Sequence, residues 1–145
     1  MQIFLDTSVL VAASVADHPH HARARPVLQR VASGEDIGFV GAHSIAETYA
    51  ALTRVPVTPR IHPSEAGRIV RENILRICTV VQADTAQYLE ALSAVQDKGL
   101  PGPKIYDALL LACAVRSGAE RIYTFNLGDF RDLAQPELLA RIAAP

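Results

Sequence analysis

An α/β fold with helices on both faces of a parallel sheet is predicted by three observations. Short apolar runs of strand character alternate with helical stretches along the whole chain, which implies crossover connections and therefore parallel strands. The 145 residues, half of them apolar, amount to one domain around a single core. Neither an internal repeat nor a linker-like stretch divides the sequence, so residues 1–145 are read as one domain.

The elements follow in order. Residues 2–6 (QIFLD) form a short buried strand, and residues 8–15 continue as an apolar helix. Pro19 opens a helix to about Ser33, with a kink expected near Pro26, because proline lacks a donor and clashes with the preceding turn. A second strand spans 37–40 and a helix 44–54, after which Pro56, Pro59 and Pro63 break the chain before a helix over about 64–76. A third strand (78–81), an amphipathic helix (84–97), a Gly/Pro loop (99–103), a helix (104–116) and a fourth strand (121–125) complete the pattern. Open parallel sheets place their sites at the carboxyl ends of strands. Asp6 and residues 124–129 are therefore the first places to look for chemistry.

Composition excludes several classes. The longest strongly apolar run, residues 108–115, is far short of the roughly 20 residues that cross a bilayer and reads as a buried helix. Residues 3–16 imitate a secretory signal, but Asp6 interrupts them and no Lys or Arg precedes Arg23, so a mature chain starting at Met1 in the cytoplasm is expected. Cys78 and Cys113 have no metal-ligand spacing and sit in apolar surroundings, as buried reduced thiols do. The net charge of −1 gives no overall cationic field for nucleic acid, although a local basic patch would not show in the sum. Of the 14 basic residues all but Lys98 and Lys104 are Arg, which suits phosphate contacts but also fits an Ala- and Arg-rich genome.

Four acids stand out, and each has a plain structural reading. Asp6 caps the helix after the first strand, Ser44 and Glu47 match a capping box, Asp107 sits in a first helical turn where the macrodipole favours it, and Asn126 with Asp129 repeats the cap pattern. Residues 84–87 (DTAQ) are a control: the same pattern before an ordinary amphipathic helix, with no chemistry assigned. The setting of the others differs. Asp107 lies among Ile105, Tyr106, Ala108 and Leu109, and Glu47 among Ile45, Ala46, Tyr49 and Ala50. Buried carboxylates need partners. Lys104 and Arg54 are the competing cationic ones, with Lys104 expected to neutralise Asp107. If the carboxylates converge, a divalent cation offsets their repulsion, and an oxygen-only set without His or Cys selects Mg²⁺ or Mn²⁺. The chemistry that follows is phosphodiester hydrolysis.

Four segments, L-D-T-S-V-L (5–10), S-I-A-E-T-Y (44–49), Y-D-A-L-L (106–110) and T-F-N-L-G-D-F (124–130), resemble in order and spacing the PIN-domain ribonucleases, particularly the toxins of VapBC-type toxin–antitoxin pairs. The resemblance implies a three-layer α/β/α fold with a central parallel sheet of four to five strands. It also implies an Mg²⁺- or Mn²⁺-dependent endoribonuclease that leaves 5′-phosphate and 3′-hydroxyl ends, a homodimer, and a VapB-like antitoxin as partner. Carried over by position, Asp6, Glu47, Asp107 and Asp129 are the catalytic acids, with Asp6 and Asp107 as metal ligands. Ser8 and Asn126 match the polar positions that orient them, and Thr124 is a further candidate for the same role.

Other candidates are set aside. Residues 17–21 (DHPHH) open a polar helix without a partner cluster, and neither His43 nor His62 forms a nucleophile–base pair. Phe39, Tyr49, Tyr88 and Phe130 fall at apolar-face or strand positions and are expected in the core rather than as base-stacking platforms, and no phosphate-loop motif occurs. Two other functions compete: a catalytically inactive module of the same fold that docks a partner peptide in its acidic pocket, and a phosphatase using Asp6, which lacks the second Asp two positions on because Ser8 stands there.

Overall fold

The computed structural model describes residues 1–145. β1 (Gln2–Leu5) is the middle strand of a five-stranded sheet with the order β3-β2-β1-β4-β5, where β2 is Ile37–Gly41, β3 Cys78–Val81, β4 Arg121–Tyr123 and β5 Ile142–Ala143. Every pairing is parallel. Seven α-helices complete the layers: α1 (Thr7–Ser14), α2 (His21–Ala32), α3 (Ala42–Arg54), α4 (Pro63–Arg68), α5 (Thr85–Asp97), α6 (Lys104–Ser117) and α7 (Leu127–Leu133). The α/β expectation holds, and the sheet has a fifth short strand beyond the four read individually from the sequence.

Alternation along β1 explains why its run is wholly apolar. Phe4 points into the core shared with α5, α6 and α7, whereas Ile3 and Leu5 point into the one shared with α1 and α2. Both faces of the strand are dry. Close packing extends to β2, where a Cβ on Gly41 would come within 2.6 Å of the Leu110 side chain. The absence of a side chain at Gly41 thus sets how closely α6, the carrier of Asp107, approaches the sheet.

Several local expectations are corrected. α3 starts at Ala42 directly from β2, with Gly41 as its N-cap and no side-chain cap bond, so Ser44 and Glu47 form no capping box. α2 starts at His21 rather than Pro19 and runs through Pro26 to Ala32. The helix after the prolines continues from α4 as a π-helical stretch, Ile69–Ile74. β4 ends at Tyr123, which leaves Thr124 and Phe125 in the turn beyond it. The control pattern at Asp84 is a true capping box, with side-chain and backbone bonds exchanged with Gln87. Cys78 and Cys113 are free and buried, and burial pushes the Cys78 thiol up to about 11. No helix is long and apolar enough to cross a membrane.

Candidate active site

The chain leaves β1 toward β2 on one side of the sheet, while β4 flanks β1 on the other. Such a reversal of strand order opens a crevice beyond the carboxyl ends of the two strands. Asp6 follows β1, and its backbone N–H still donates to the Tyr123 carbonyl at 3.0 Å, which extends the ladder into the crevice.

Asp6 is only 2% exposed. Its Oδ2 accepts from the Ser8 amide (3.3 Å), the Ser8 hydroxyl (2.6 Å) and the Thr124 hydroxyl (2.8 Å), while Oδ1 receives none of these bonds. The two hydroxyls also fasten the turn after β4. Ser8 accepts from the Phe125 amide at 3.0 Å and Thr124 from the Asn126 amide at 2.9 Å. Burial raises the Asp6 carboxyl above its usual range, and the hydroxyl and amide donors only partly offset this.

Glu47 arrives from the second turn of α3. The Thr7 hydroxyl reaches it at 3.5 Å and bonds Ser44 at 3.0 Å, while His43, one turn earlier, lies 3.4 Å from its Oε1. Burial and the nearby Asp6 charge raise its pKa. Asp107 comes from the first turn of α6 and is pushed up to about 6, first by burial and then by Asp6, Asp129 and Glu47, against the opposing pull of Lys104. These mutual effects mark one electrostatic unit.

Asp6, Glu47 and Asp107 line a single cavity of about 590 Å³ together with Ser8 and Asn126. Asp129 does not line it. It forms an ion pair with Lys104 at the outer edge, from where its charge still reaches Asp107. Lys104 therefore pairs with Asp129 and not, as expected, with Asp107, because α7 brings Asp129 against the start of α6. Thr124 is buried behind the cavity, and Asn126 contributes its backbone amide, its side chain making no cap bond. Thr7, His18, His20 and Phe125 also stand on the wall although sequence reasoning did not select them. Only Phe125 carried a signal, through its place just beyond a strand end.

No three acidic, His or Cys side chains close into a ready-made metal cage. Mg²⁺ does not require one, since it keeps several waters and takes one or two carboxylates. A buried carboxylate with one oxygen outside its hydrogen-bond set, sharing a cavity with a second carboxylate whose proton affinity is raised by burial and by its acidic neighbours, fits such an ion.

Thr124→Val tests the positioning of Asp6. The replacement has nearly the same shape but leaves the Asn126 amide and Asp6 each short of a bond, so guanidinium unfolding should show a loss of about 1–3 kcal/mol. Metal affinity or activity should fall about 10–100-fold. Unchanged values for both would remove Thr124 from the site.

Comparison with known proteins agrees with this architecture. Residues 3–136 match the model of the PIN domain. Ribonuclease VapC27 of Mycobacterium tuberculosis is 31% identical over 116 residues, covering 80% of this chain and 79% of that protein. Ribonuclease VapC23 of the same species is 32% identical over 124 residues, covering 86% and 92%. Among solved structures, M. tuberculosis VapC20, described as a sarcin–ricin-loop-cleaving toxin, superposes with a TM-score of 0.69 at 22% identity over 89% of this chain and 92% of its own. VapBC2 of Rickettsia felis, solved with a fragment of promoter DNA, gives 0.66 at 18% over 99% and 98%. A parallel sheet with an acid at its switch point and a family match over nearly the whole length lead to one conclusion: this chain belongs to the PIN-domain family, among the VapC-type ribonucleases.

Proposed function

We propose that this protein is the toxin of a type II toxin–antitoxin pair and that it hydrolyses RNA phosphodiester bonds in an Mg²⁺- or Mn²⁺-dependent reaction. The observation that carries the proposal is the convergence of Asp6, Glu47 and Asp107 on one cavity, each held above its usual pKa partly by burial. Asp6 and Asp107 would hold the cation, which when bound supplies Lewis acidity toward the phosphate and acidifies water. Glu47, about a third exposed and with a raised proton affinity, accepts a proton from the attacking water. Asp129, paired with Lys104, tunes the charge around Asp107 from the edge of the site. Ser8 and Thr124 keep the Asp6 carboxylate in place, and Asn126 contributes through its backbone.

Its partner is a VapB-like antitoxin, a reading supported by the likeness to a VapBC complex. The same reading includes a homodimer. Tyr88, like Tyr49, is exposed rather than in the core as expected, together with Leu89 and Leu92 on α5 and Val115 on α6, and Leu89 with Val115 lines an open groove between those helices.

The test is incubation of purified protein with single-stranded RNA in Mg²⁺ or Mn²⁺ and in excess chelator. Cleavage in the metal arms, with 5′-phosphate ends found by end sequencing, and none in chelator is expected. Equal cleavage in chelator would reject the metal dependence, and no cleavage in any arm would reject the nuclease.

A further inference from the structure

The carboxylates share their cavity with a group of rings that the reaction itself does not use. His18, His20 and Phe125 line the same space as Asp6 and Asp107, although they come from the turn before α2 and from the turn after β4. The His20 and Phe125 rings are stacked, with centroids 4.3 Å apart and planes 13° from parallel. His18 lies 5.7 Å from His20, and the Arg23 guanidinium carbon stands 5.7 Å from the centre of the Phe125 ring.

Phe125 packs in part against the core of β1, α1 and α2, but neither that packing nor helix capping accounts for the histidines beside it. His20 and Phe125 are both only partly buried. His20 occupies the N-cap of α2 without making a side-chain cap bond. Phe125 is held in place by its amide bond to the Ser8 hydroxyl, the same hydroxyl that binds Asp6. One hydrogen-bonded unit therefore ties the backbone that carries the Phe125 ring to the central carboxylate. A stiff ring beside a hydrolytic site suits a substrate that is flat next to its phosphate.

Charge sharpens the point. The chain carries a net charge of −1, and the cavity wall is acidic. At the cavity wall itself the acids repel phosphate while no cation is bound. Stacking of unpaired bases on aromatic and guanidinium planes is an alternative source of affinity, and it acts on single-stranded or looped RNA whose bases are free. The cavity of about 590 Å³ has the size of a small-molecule ligand pocket.

We propose that the stacked His20–Phe125 pair, with Arg23 against it, is a nucleobase-binding subsite that seats one unpaired base of the RNA beside the phosphodiester facing Asp6 and Asp107. The inference rests on the ribonuclease reading above and adds to it where the base adjoining the cut is held. Recognition is by ring face, so it tolerates different bases but requires one.

The experiment compares two probes of equal charge: a fluorescein-labelled oligoadenylate and an abasic ribose-phosphate chain of the same length. Each is titrated into the full-length protein in chelator and followed by anisotropy. The wild type should bind oligoadenylate roughly tenfold or more tighter than the abasic chain. Phe125→Leu should abolish that preference while leaving abasic-chain binding unchanged. His20→Ala, a change at a partly exposed helix start, should reduce the preference about threefold and decides the matter if the Phe125 variant folds poorly. Equal binding of both probes by the wild type, or an undiminished preference in His20→Ala and a folded Phe125→Leu protein, overturns the subsite. A wild type that cuts RNA yet shows no base preference overturns this inference alone; one that neither binds nor cuts RNA overturns the ribonuclease reading with it.

Discussion

Asp6→Asn is expected to lower kcat/KM for Mn²⁺-dependent RNA cleavage by at least about a hundredfold without unfolding the protein. The magnitude follows from losing several kcal/mol of transition-state stabilisation, at about 1.4 kcal/mol per factor of ten. Fold retention follows from the setting of the carboxylate. Burial already disfavours its charge, and the amide oxygen of Asn can still accept from the Ser8 and Thr124 hydroxyls. Asp6→Ala would be a poorer test, because it also removes an N-cap, worth about 0.5–2 kcal/mol, and leaves both hydroxyls without their acceptor. Asp84→Asn serves as the control, since Asp84 caps α5 in solvent and lies outside the cavity. Its cleavage rate should equal that of the wild type. Undiminished cleavage by Asp6→Asn at wild-type metal concentration would take Asp6 out of the reaction.

Mn²⁺ affinity should fall about tenfold per pH unit below pH 6, because a carboxyl must lose its proton before it can bind a metal. The group responsible is Asp107, raised from 3.8 to about 6 by burial and by its acidic neighbours. Stability of the cation-free protein moves the other way. A folded-state pKa above the unfolded one means that the native state holds the extra proton between these values, so the contribution is present below about pH 4 and is lost as the pH rises through 6. Asp107 is partly exposed and screened by water, so that loss amounts to only about 1 kcal/mol. Asp107→Asn should flatten both profiles. Calorimetric Mn²⁺ titrations and thermal melts across pH 5 to 8 check the two signs, and a wild-type affinity that is constant over that range would contradict the assignment.

How much of this was legible in the chain depends on the range of the interaction involved. The parallel sheet was, because alternation of apolar strands and amphipathic helices is local, and a strand buried on both faces must be apolar throughout, as β1 is. Helix starts were legible where the cap is a side chain, as at Asp84, and misread where the backbone turns directly from strand to helix, as at Gly41. Glu47 and Asp107 could be selected from their apolar neighbours, since an acid without water needs a reason to be there, and Asp6 from its place at a strand end. The partner of Lys104 could not be selected this way, because that choice depends on how α7 packs against α6, a contact between residues 25 apart in sequence.

The histidines before α2 show the same limit more sharply. In sequence, residues 17–21 are a polar helix start and nothing more. In the fold, the turn that carries them lies against the turn after β4, and His20 meets Phe125. What the sequence alone determined is the class of fold, the strand ends where chemistry belongs and the acids enclosed by apolar neighbours, all of which follow from local hydrophobic patterning and the cost of burying charge. The tertiary structure alone decided which of those acids share a cavity, which cation is already paired and which aromatic rings stand beside them, because these are distances between chain segments that periodicity does not encode.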